Sequence, residues 1–336
     1  RSWWRAPPGR FGRAPSTWKA ETPLRPGQTS PAGPGSGAPA EDPLAEMSSL
    51  RRDFDHALES FLREEVGHLE PDVSDAVRYA VQSPGKRIRP LLLMASYRAL
   101  GGENQAIADL ALSVELVHAY SLVHDDLPCM DDDVLRRGRP TVHVKFGVPR
   151  AVLTGAALMP LAVRAIVRSG PPLGLEPPVV DRLVETLTAA SGAAGMVGGQ
   201  LLDLRAEGRW VTKEELEAIH SGKTGRLIAA CAVMGGIAAG ASSATLDALR
   251  RFGTDLGLAF QAVDDILDLR GTAGELGKES GRDRALGKAT YPALFGVEET
   301  ERISRAFAEA AMAELAHFDR PEGLRAIASY VIERTH

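Results

Sequence analysis

Two groups of acidic residues carry the most evident chemistry in this sequence of 336 residues. HDDLPCMDDD spans residues 124–133, and DDILD spans residues 264–268. Crowding carboxylates into one site is unfavourable without a counter-charge, because like charges repel. The two groups together therefore predict a shared cation. A solvated acidic face is the alternative for either group alone, and it explains the pair less well.

Oxygen ligands of this kind are typical of magnesium, which binds one or two carboxylates together with substrate phosphates. An EF-hand calcium loop is excluded, because the acidic stretch lacks the required glycine and ligand spacing. In the second group, Asp264 and Asp268 are four residues apart and lie on one helical face.

The first acidic group requires a bend in the chain. On a regular helix Asp125 and Asp131 would lie about 240° apart and could not share a face. Pro128 has no N–H to donate and disfavours helical geometry at Leu127. The sequence therefore predicts that the helix ends near Leu127 and that a turn returns Asp131 towards Asp125.

Basic residues adjoin these acidic groups. GKRIRP contains three cations, LRRGRPT follows the first acidic group, and SGKTG supplies a lysine. Arginine binds phosphate oxygens with a planar fork, and lysine acts as a point charge. Cations beside magnesium-type carboxylates predict a substrate that carries phosphate. A P-loop at residues 222–224 is excluded, because Glu217 occupies a glycine position and a helical pattern precedes it.

The elements that must position these residues are helical. Apolar residues recur every three or four positions between Gln105 and His124, which predicts one buried helical face. The same periodicity fills the ranges 178–205, 213–240, 243–269 and 289–315. Strand signals are scarce and hairpin dipeptides are missing. An all-α fold in a single domain is predicted, with breaks at 169–178 and 270–287.

Composition and charge limit the other classes of partner and location that this chain could have. A net charge of -5 gives no reason to expect a nucleic-acid partner. Cys129 and Cys231 have neither disulfide-framework nor zinc spacing, which favours the reducing cytoplasm. The apolar segment 227–241 is too short for a membrane span, so a buried core helix is predicted there.

Residues 1–46 differ in composition from the rest of the chain, because they contain nine prolines and six glycines. We predict a disordered or non-native extension here, followed by one domain over 47–336, with native translation starting at Met47. An organelle transit peptide is the alternative. Proline and glycine at this density oppose the amphipathic helix that such peptides form.

Six motifs follow one another along the chain: GKRIRP, HDDLPCMDDDVLRRGRPTVH, GMVGGQLLDL, HSGKTGRLI, GLAFQAVDDILD and LGKATYPAL. In order and spacing they resemble the motifs of trans-isoprenyl diphosphate synthases, particularly bacterial farnesyl diphosphate synthases. The resemblance covers residues 48–336. It implies a large helical bundle of the isoprenoid synthase fold, usually a homodimer, with the aspartate motifs on opposite walls of a central cavity. The implied reaction condenses isopentenyl diphosphate with dimethylallyl or geranyl diphosphate.

The resemblance also implies roles for individual residues. Three magnesium ions would be bound by Asp125 and Asp131 with Asp126 in support, and by Asp264 with Asp268 near it. The allylic diphosphate would contact Arg136, Lys223 and Lys278. Isopentenyl diphosphate would contact Lys86, Arg89, His118 and Arg137. Lys223, Thr224 and Gln261 would lie near the nascent cation. Outside this motif set, a lone histidine on an apolar face such as His118 would be more simply a core residue.

Product length is expected to depend on the helix that ends at Asp125, with Tyr120 and Ser121 as the floor of the hydrocarbon site. In this family an aromatic residue at that place commonly limits the product to fifteen carbons, which predicts farnesyl diphosphate. Geranylgeranyl diphosphate synthases share the aspartate motif and are the alternative. A class I terpene cyclase would lack the second basic group, and a non-catalytic subunit would have lost an aspartate motif or its lysines.

Overall fold

The structure is a computed structural model, and it describes residues 43–270 and 282–332. Within these ranges the secondary structure is helical apart from one short hairpin, which confirms the all-α prediction. The helices are α1 (Pro43–Phe61), α2 (Pro71–Val81), α3 (Ile88–Ala99), α4 (Ile107–Asp125), α5 (Val142–Phe146), α6 (Val148–Leu173), α7 (Pro177–Ser191), α8 (Met196–Ala206), α9 (Lys213–His220), α10 (Arg226–Ala238), α11 (Ser243–Arg270), α12 (Arg282–Ala285), α13 (Tyr291–Phe295), α14 (Val297–Glu314) and α15 (Glu322–Ile332). Short π-helical segments lie at Leu62–Val66 and Ser221–Gly225, and a 3₁₀ turn lies at Leu315–His317.

The core is built from the apolar faces of the long helices. Phe54, Leu92, Leu110 and Phe252 are completely buried, on α1, α3, α4 and α11 respectively. Burying one such side chain contributes about 1.5–3 kcal/mol. Helix α4 packs along α6 and α3, and α11 packs along α10 and α14. The first acidic group therefore begins at the end of α4 and the second lies on α11, two helices that the core holds in place.

Local sequence signals set several helix boundaries. The start of α9 is a capping box, in which Thr212 accepts a hydrogen bond from the backbone N–H of Glu215 and the Glu215 carboxylate accepts one from Thr212. This box fixes the helix that leads into SGKTG. At the start of the described chain, α1 begins at Pro43, ahead of Met47. Proline is favourable at a first helical position, and the predicted domain start at Met47 lies within this helix.

Helix α6 continues past the start of a predicted break. It runs through Pro171 and Pro172 and ends at Leu173, capped by Gly174, whose φ is +70°. The N–H of Leu175 then donates to the Gly170 carbonyl over 2.9 Å, which closes the helix. Within the described ranges, α6 is the one helix long and apolar enough to cross a membrane by length and composition, and 44% of its most apolar window is buried. The apolar segment 227–241, excluded as a span by its length, lies mostly on α10 instead.

The hairpin joins β1 (Leu135–Arg136) to β2 (Arg139–Pro140). Its two turn residues both have positive φ, +54° at Arg137 and +73° at Gly138, as in a type I′ turn. The hairpin could not be predicted from the sequence, because arginine rarely adopts that conformation and no Asn-Gly or Asp-Gly pair marks the turn. Backbone strain of this type is most often found at functional sites.

Candidate active site

One cavity of about 770 Å³ brings together most of the residues selected from the sequence. Those lining it are Lys86, Arg89, His118, Ser121, Asp125, Asp131, Arg136, Arg137, Lys223, Thr224, Gln261, Asp264 and Asp268. Asp126 and Tyr120 are not part of this lining. Lys278 lies outside the described residues. The two acidic groups, 130 residues apart in sequence, thus face a common space.

The predicted bend after α4 is present. The helix ends at Asp125, and the backbone N–H of Asp131 donates to the Asp125 carbonyl over 2.9 Å. Leu127 stabilises the same turn, because its carbonyl accepts hydrogen bonds from Met130 and Asp132. The two cavity aspartates of this motif are therefore adjacent despite the six-residue separation.

The structure does not bring Asp126 into the cavity wall. Its carboxylate is 3% exposed and accepts a hydrogen bond from Arg136 Nε at 2.9 Å. Burial raises the pKa of Asp126 to about 6, although Arg136 opposes the shift. Arg136 also donates to Asp133 over 3.1 Å. Asp126 thus holds Arg136 and lies outside the cavity lining, and its expected supporting part in metal binding stays a prediction.

On the opposite wall, α11 presents Asp264 and Asp268 as expected from their spacing. Asp265, between them, turns into the protein and is 2% exposed. It accepts hydrogen bonds from Gln261 Nε2 and from the backbone N–H of Tyr291, both over 2.9 Å. Gln261 in turn accepts one from the Thr224 hydroxyl over 2.9 Å. Asp265 therefore fixes the orientation of two residues selected for catalysis.

The donor chemistry of the two walls suits a hard divalent cation. Burial raises the pKa of Asp125, and the charge of Asp131 raises it further, against the opposing effects of Lys223 and Arg136. Burial thus disfavours the ionised form of Asp125, and a bound cation would offset that cost. No group of three His, Cys, Asp or Glu residues in the described chain is already gathered tightly enough to hold an ion by itself. Magnesium can bind without such a preformed group, because it commonly takes one or two carboxylates together with water and phosphate.

Two lysines and one aspartate form an ion-pair network that includes Asp131 of the first acidic group. Lys223 Nζ lies 2.6 Å from Asp203 Oδ2, and Lys288 Nζ lies 3.0 Å from the same oxygen. Lys288 also reaches Asp131 Oδ1 at 2.6 Å. Neither Lys288 nor Asp203 was among the site residues predicted from the sequence. Both residues lie inside motifs named above, LGKATYPAL and GMVGGQLLDL. Their place in these motifs is the sequence signal that could have identified them as site residues.

The segment SGKTG forms a π-helical turn between α9 and α10, which the sequence analysis did not predict. Its backbone lies directly against α8. A β-carbon on Gly199 would fall 2.1 Å from the backbone nitrogen of Lys223, so only glycine permits this approach. Insertions of this type widen a helix and are frequent at functional sites. Here the turn directs Lys223 and Thr224 into the cavity.

The second cationic group surrounds His118. Burial lowers the pKa of this histidine well below its ordinary value, and the charges of Arg89, Arg137 and Arg87 lower it further. The imidazole is therefore neutral near neutral pH. Burial also lowers the pKa of Arg89 and of Arg137. Such a concentration of positive charge around a neutral ring is suited to a bound anion.

Arg87 holds this cationic group in place. It stands immediately before α3 with a φ of +54°, and its side chain is ion-paired with Glu115 and donates to the Val81 carbonyl over 2.9 Å. Arg137 donates to the Pro84 carbonyl over 2.8 Å and thereby ties the hairpin to the same loop. Arg87 is one of the three cations of GKRIRP, and its partner could not be predicted from the sequence because Glu115 lies on another helix.

The two residues expected to limit product length lie on α4. Ser121 lines the cavity, and its hydroxyl donates to the His118 carbonyl. Tyr120 is half-buried beside the cavity, and its ring packs edge-on against that of His124, with centroids 4.8 Å apart. The role of Tyr120 therefore stays a prediction.

Comparison with known proteins identifies the family to which this chain belongs. Residues 70–324 match the family model described as polyprenyl synthetase. The chain belongs to the polyprenyl synthetase family. It is 43% identical to the farnesyl diphosphate synthase of Escherichia coli (strain K12) over 271 residues, which cover 78% of this chain and 89% of the relative. It is 39% identical to geranylgeranyl pyrophosphate synthase 4 of Arabidopsis thaliana over 281 residues, or 82% and 74% of the two chains.

Solved structures of this polyprenyl synthetase type agree with the fold. A geranyltransferase from Legionella pneumophila superposes with a TM-score of 0.77 at 33% identity, over 87% of this chain and 98% of that one. A geranyltransferase from Helicobacter pylori, complexed with magnesium and isoprenyl diphosphate, superposes with a TM-score of 0.73 at 31% identity, over 90% and 97%. The isoprenoid synthase fold is confirmed, and the chain is a trans-prenyltransferase.

Proposed function

We propose that this trans-prenyltransferase is a farnesyl diphosphate synthase, which condenses isopentenyl diphosphate with dimethylallyl and then geranyl diphosphate. One observation carries the proposal: Asp125 and Asp264 line the same cavity as two separate groups of cations. Two cationic groups in one cavity are suited to two diphosphates held at once. A terpene cyclase needs only one such group.

Three magnesium ions are proposed as cofactors, held by Asp125 and Asp131 on one wall and by Asp264 and Asp268 on the other. When bound, magnesium would offset the charge of the leaving diphosphate and so favour cleavage of its carbon–oxygen bond. The Helicobacter pylori geranyltransferase complexed with magnesium and isoprenyl diphosphate supports the choice of ion. Asp126 would serve through Arg136, which its carboxylate orients.

The allylic diphosphate is proposed to lie between the aspartate walls, where Lys223 and Arg136 donate to its oxygens. Lys278 is proposed for the same role by its motif. Lys288 joins this set, because its Nζ already lies within 3 Å of oxygens on Asp131 and Asp203. When the carbon–oxygen bond breaks, its electron pair goes to the diphosphate oxygen and leaves an allylic cation. Donors already in place stabilise that developing charge without reorganisation.

Isopentenyl diphosphate is proposed to bind the second cationic group, through Lys86, Arg89 and Arg137. The neutral His118 completes the site as a hydrogen-bonding group. The double bond of this substrate attacks the allylic carbon, so one carbon–carbon bond forms as the alkene electron pair is used. Loss of a proton to the released pyrophosphate then restores a double bond. Thr224 and Gln261 would face the cation, with Gln261 oriented by Asp265.

Product length is proposed to be set on α4, where Tyr120 and Ser121 stand one turn before Asp125. The bulk of Tyr120 supports a fifteen-carbon limit. The named relatives include synthases of both farnesyl and geranylgeranyl products at similar identity, so geranylgeranyl diphosphate is the second candidate.

A homodimer in the cytoplasm is proposed as the working form. Four apolar side chains on α6 are 42–57% exposed, namely Val148, Val152, Leu153 and Val167. Their exposure suits coverage by a second copy of the chain, and sedimentation or light scattering would measure its mass. Both cysteines are free thiols, as suits a reducing compartment.

Incubation of the purified chain with magnesium, isopentenyl diphosphate and either dimethylallyl or geranyl diphosphate tests the proposal. Farnesyl diphosphate should be the principal product from both starters. A principal product of twenty carbons would favour the second candidate. Cyclised hydrocarbons, or no condensation product, would refute the proposed reaction.

A further inference from the structure

His124 immediately precedes Asp125, and its ring occupies a notch in α6. Its Nε2 lies 3.3 Å from the carbonyl oxygen of Val152. Because a carbonyl only accepts, Nε2 carries the proton in this contact. A β-carbon built on Gly155 would fall 2.1 Å from Nε2 and 2.4 Å from Cδ2 of the same ring. The imidazole therefore fits here only because residue 155 has no side chain.

The same imidazole also contacts Tyr120. The two ring centroids are 4.8 Å apart and the ring planes are inclined by 65°, a favourable edge-to-face arrangement. Tyr120 lies four residues before His124, so the two side chains share one face of α4. The contact with α6 thus fixes the position of the His124 ring, and the contact with that ring restricts the side chain of Tyr120.

We propose that His124, seated over Gly155, is a positioning residue that fixes product length by holding Tyr120 in one orientation. This inference rests on the proposed farnesyl product and on Tyr120 as its limit. A tyrosine without this contact gains rotational freedom about its side-chain bonds. The end of the hydrocarbon site then opens for part of the time, and a further isopentenyl unit is added.

Product ratios in single and double variants test this role. The full chain is incubated with magnesium, isopentenyl diphosphate and geranyl diphosphate, and the ratio of twenty-carbon to fifteen-carbon product is measured. His124→Ala and Gly155→Ala should each raise the ratio about fivefold, as expected for loss of one aromatic contact. Tyr120→Ala should raise it further. His124→Ala added to Tyr120→Ala should change nothing more, because the histidine acts through the tyrosine.

Gly170→Ala is the matched control, because it makes the same substitution in the same helix. Its β-carbon would meet Val180 Cγ2 at 2.7 Å, away from α4, so the wild-type ratio is expected. Lower total activity or partial unfolding does not imitate the predicted change, because the ratio compares two products of the same active molecules.

Each outcome separates the inference from the proposed function. If Tyr120→Ala lengthens the product while His124→Ala and Gly155→Ala keep the wild-type ratio, the role of His124 is overturned and the farnesyl assignment stands. If the double variant exceeds Tyr120→Ala, His124 acts independently and the inference is also wrong. If Tyr120→Ala leaves the ratio unchanged, the product-length assignment fails and this inference fails with it.

Discussion

The buried ion pair between Arg87 and Glu115 should be essential to both stability and isopentenyl diphosphate binding. The two side chains are 6% and 4% exposed. Removing one partner of such a pair leaves an uncompensated buried charge and costs about 3–5 kcal/mol. Glu115→Ala should therefore lower the free energy of unfolding by that amount. Glu115→Gln keeps a hydrogen-bond acceptor and should cost about half as much.

Catalysis should change together with stability, because Arg87 holds the backbone between Lys86 and Arg89. The positive φ of Arg87 is unfavourable for arginine. Without the ion pair to Glu115, the loop is held less strongly in this backbone conformation. Glu115→Gln should therefore raise the KM for isopentenyl diphosphate about tenfold, consistent with the loss of about 1.4 kcal/mol of binding. The KM for the allylic substrate should change little, since its proposed site is elsewhere in the cavity.

Urea unfolding followed by circular dichroism, together with initial rates, checks both effects. Asp247→Asn is the matched control, because its pair with Arg250 is more than half exposed and exposed pairs contribute about 0–1 kcal/mol. Replacing both Arg87 and Glu115 by apolar residues should recover much of the lost stability without recovering the KM. A loss below about 1 kcal/mol for Glu115→Ala would refute the account of this pair.

Three further predictions concern other parts of the cavity. Lys288→Ala should lower kcat by at least about tenfold with little change in the KM for isopentenyl diphosphate; steady-state kinetics would contradict this by showing an effect on that KM alone. Arg137→Gly should keep the free energy of unfolding within about 1 kcal/mol of wild type, because relief of positive-φ strain offsets a lost hydrogen bond, yet raise the same KM; an unchanged KM would rule out its binding role. His220 is buried, and burial lowers its pKa from 6.5 to about 4. The unfolded chain therefore binds the extra proton first, and stability should fall as pH drops from about 6.5 to about 4. His220→Gln should flatten this dependence, and equal slopes in acid-unfolding curves would count against the prediction.

Much of the architecture could be predicted from the sequence because helical periodicity is a local property. The ending of α4 near Pro128 follows from the chemistry of one residue, and the shared face of Asp264 and Asp268 follows from their spacing alone. The resemblance of six motifs then named the family, and most of the residues that it selected line the cavity. The family comparison confirms that inference, while the individual roles of the residues stay predictions.

What could not be predicted depends on partners distant in the chain. Asp126 belongs to the aspartate motif, yet its orientation is decided by Arg136 on a hairpin that carries no recognised turn signal. The roles of Lys288 and Asp203 become evident only when α8, the SGKTG turn and the segment before α13 lie together. The π-helical turn likewise depends on the close contact between Gly199 and the Lys223 backbone, which periodicity does not encode.

Metal binding measured in the presence of inorganic pyrophosphate tests the central claim most directly. Calorimetric titration of the wild-type chain with magnesium should show three ions per chain. Asp125→Ala and Asp264→Ala should each lose part of this stoichiometry while circular dichroism shows an intact fold, because both walls are proposed to hold the ions. Wild-type stoichiometry and affinity in both variants would contradict the account.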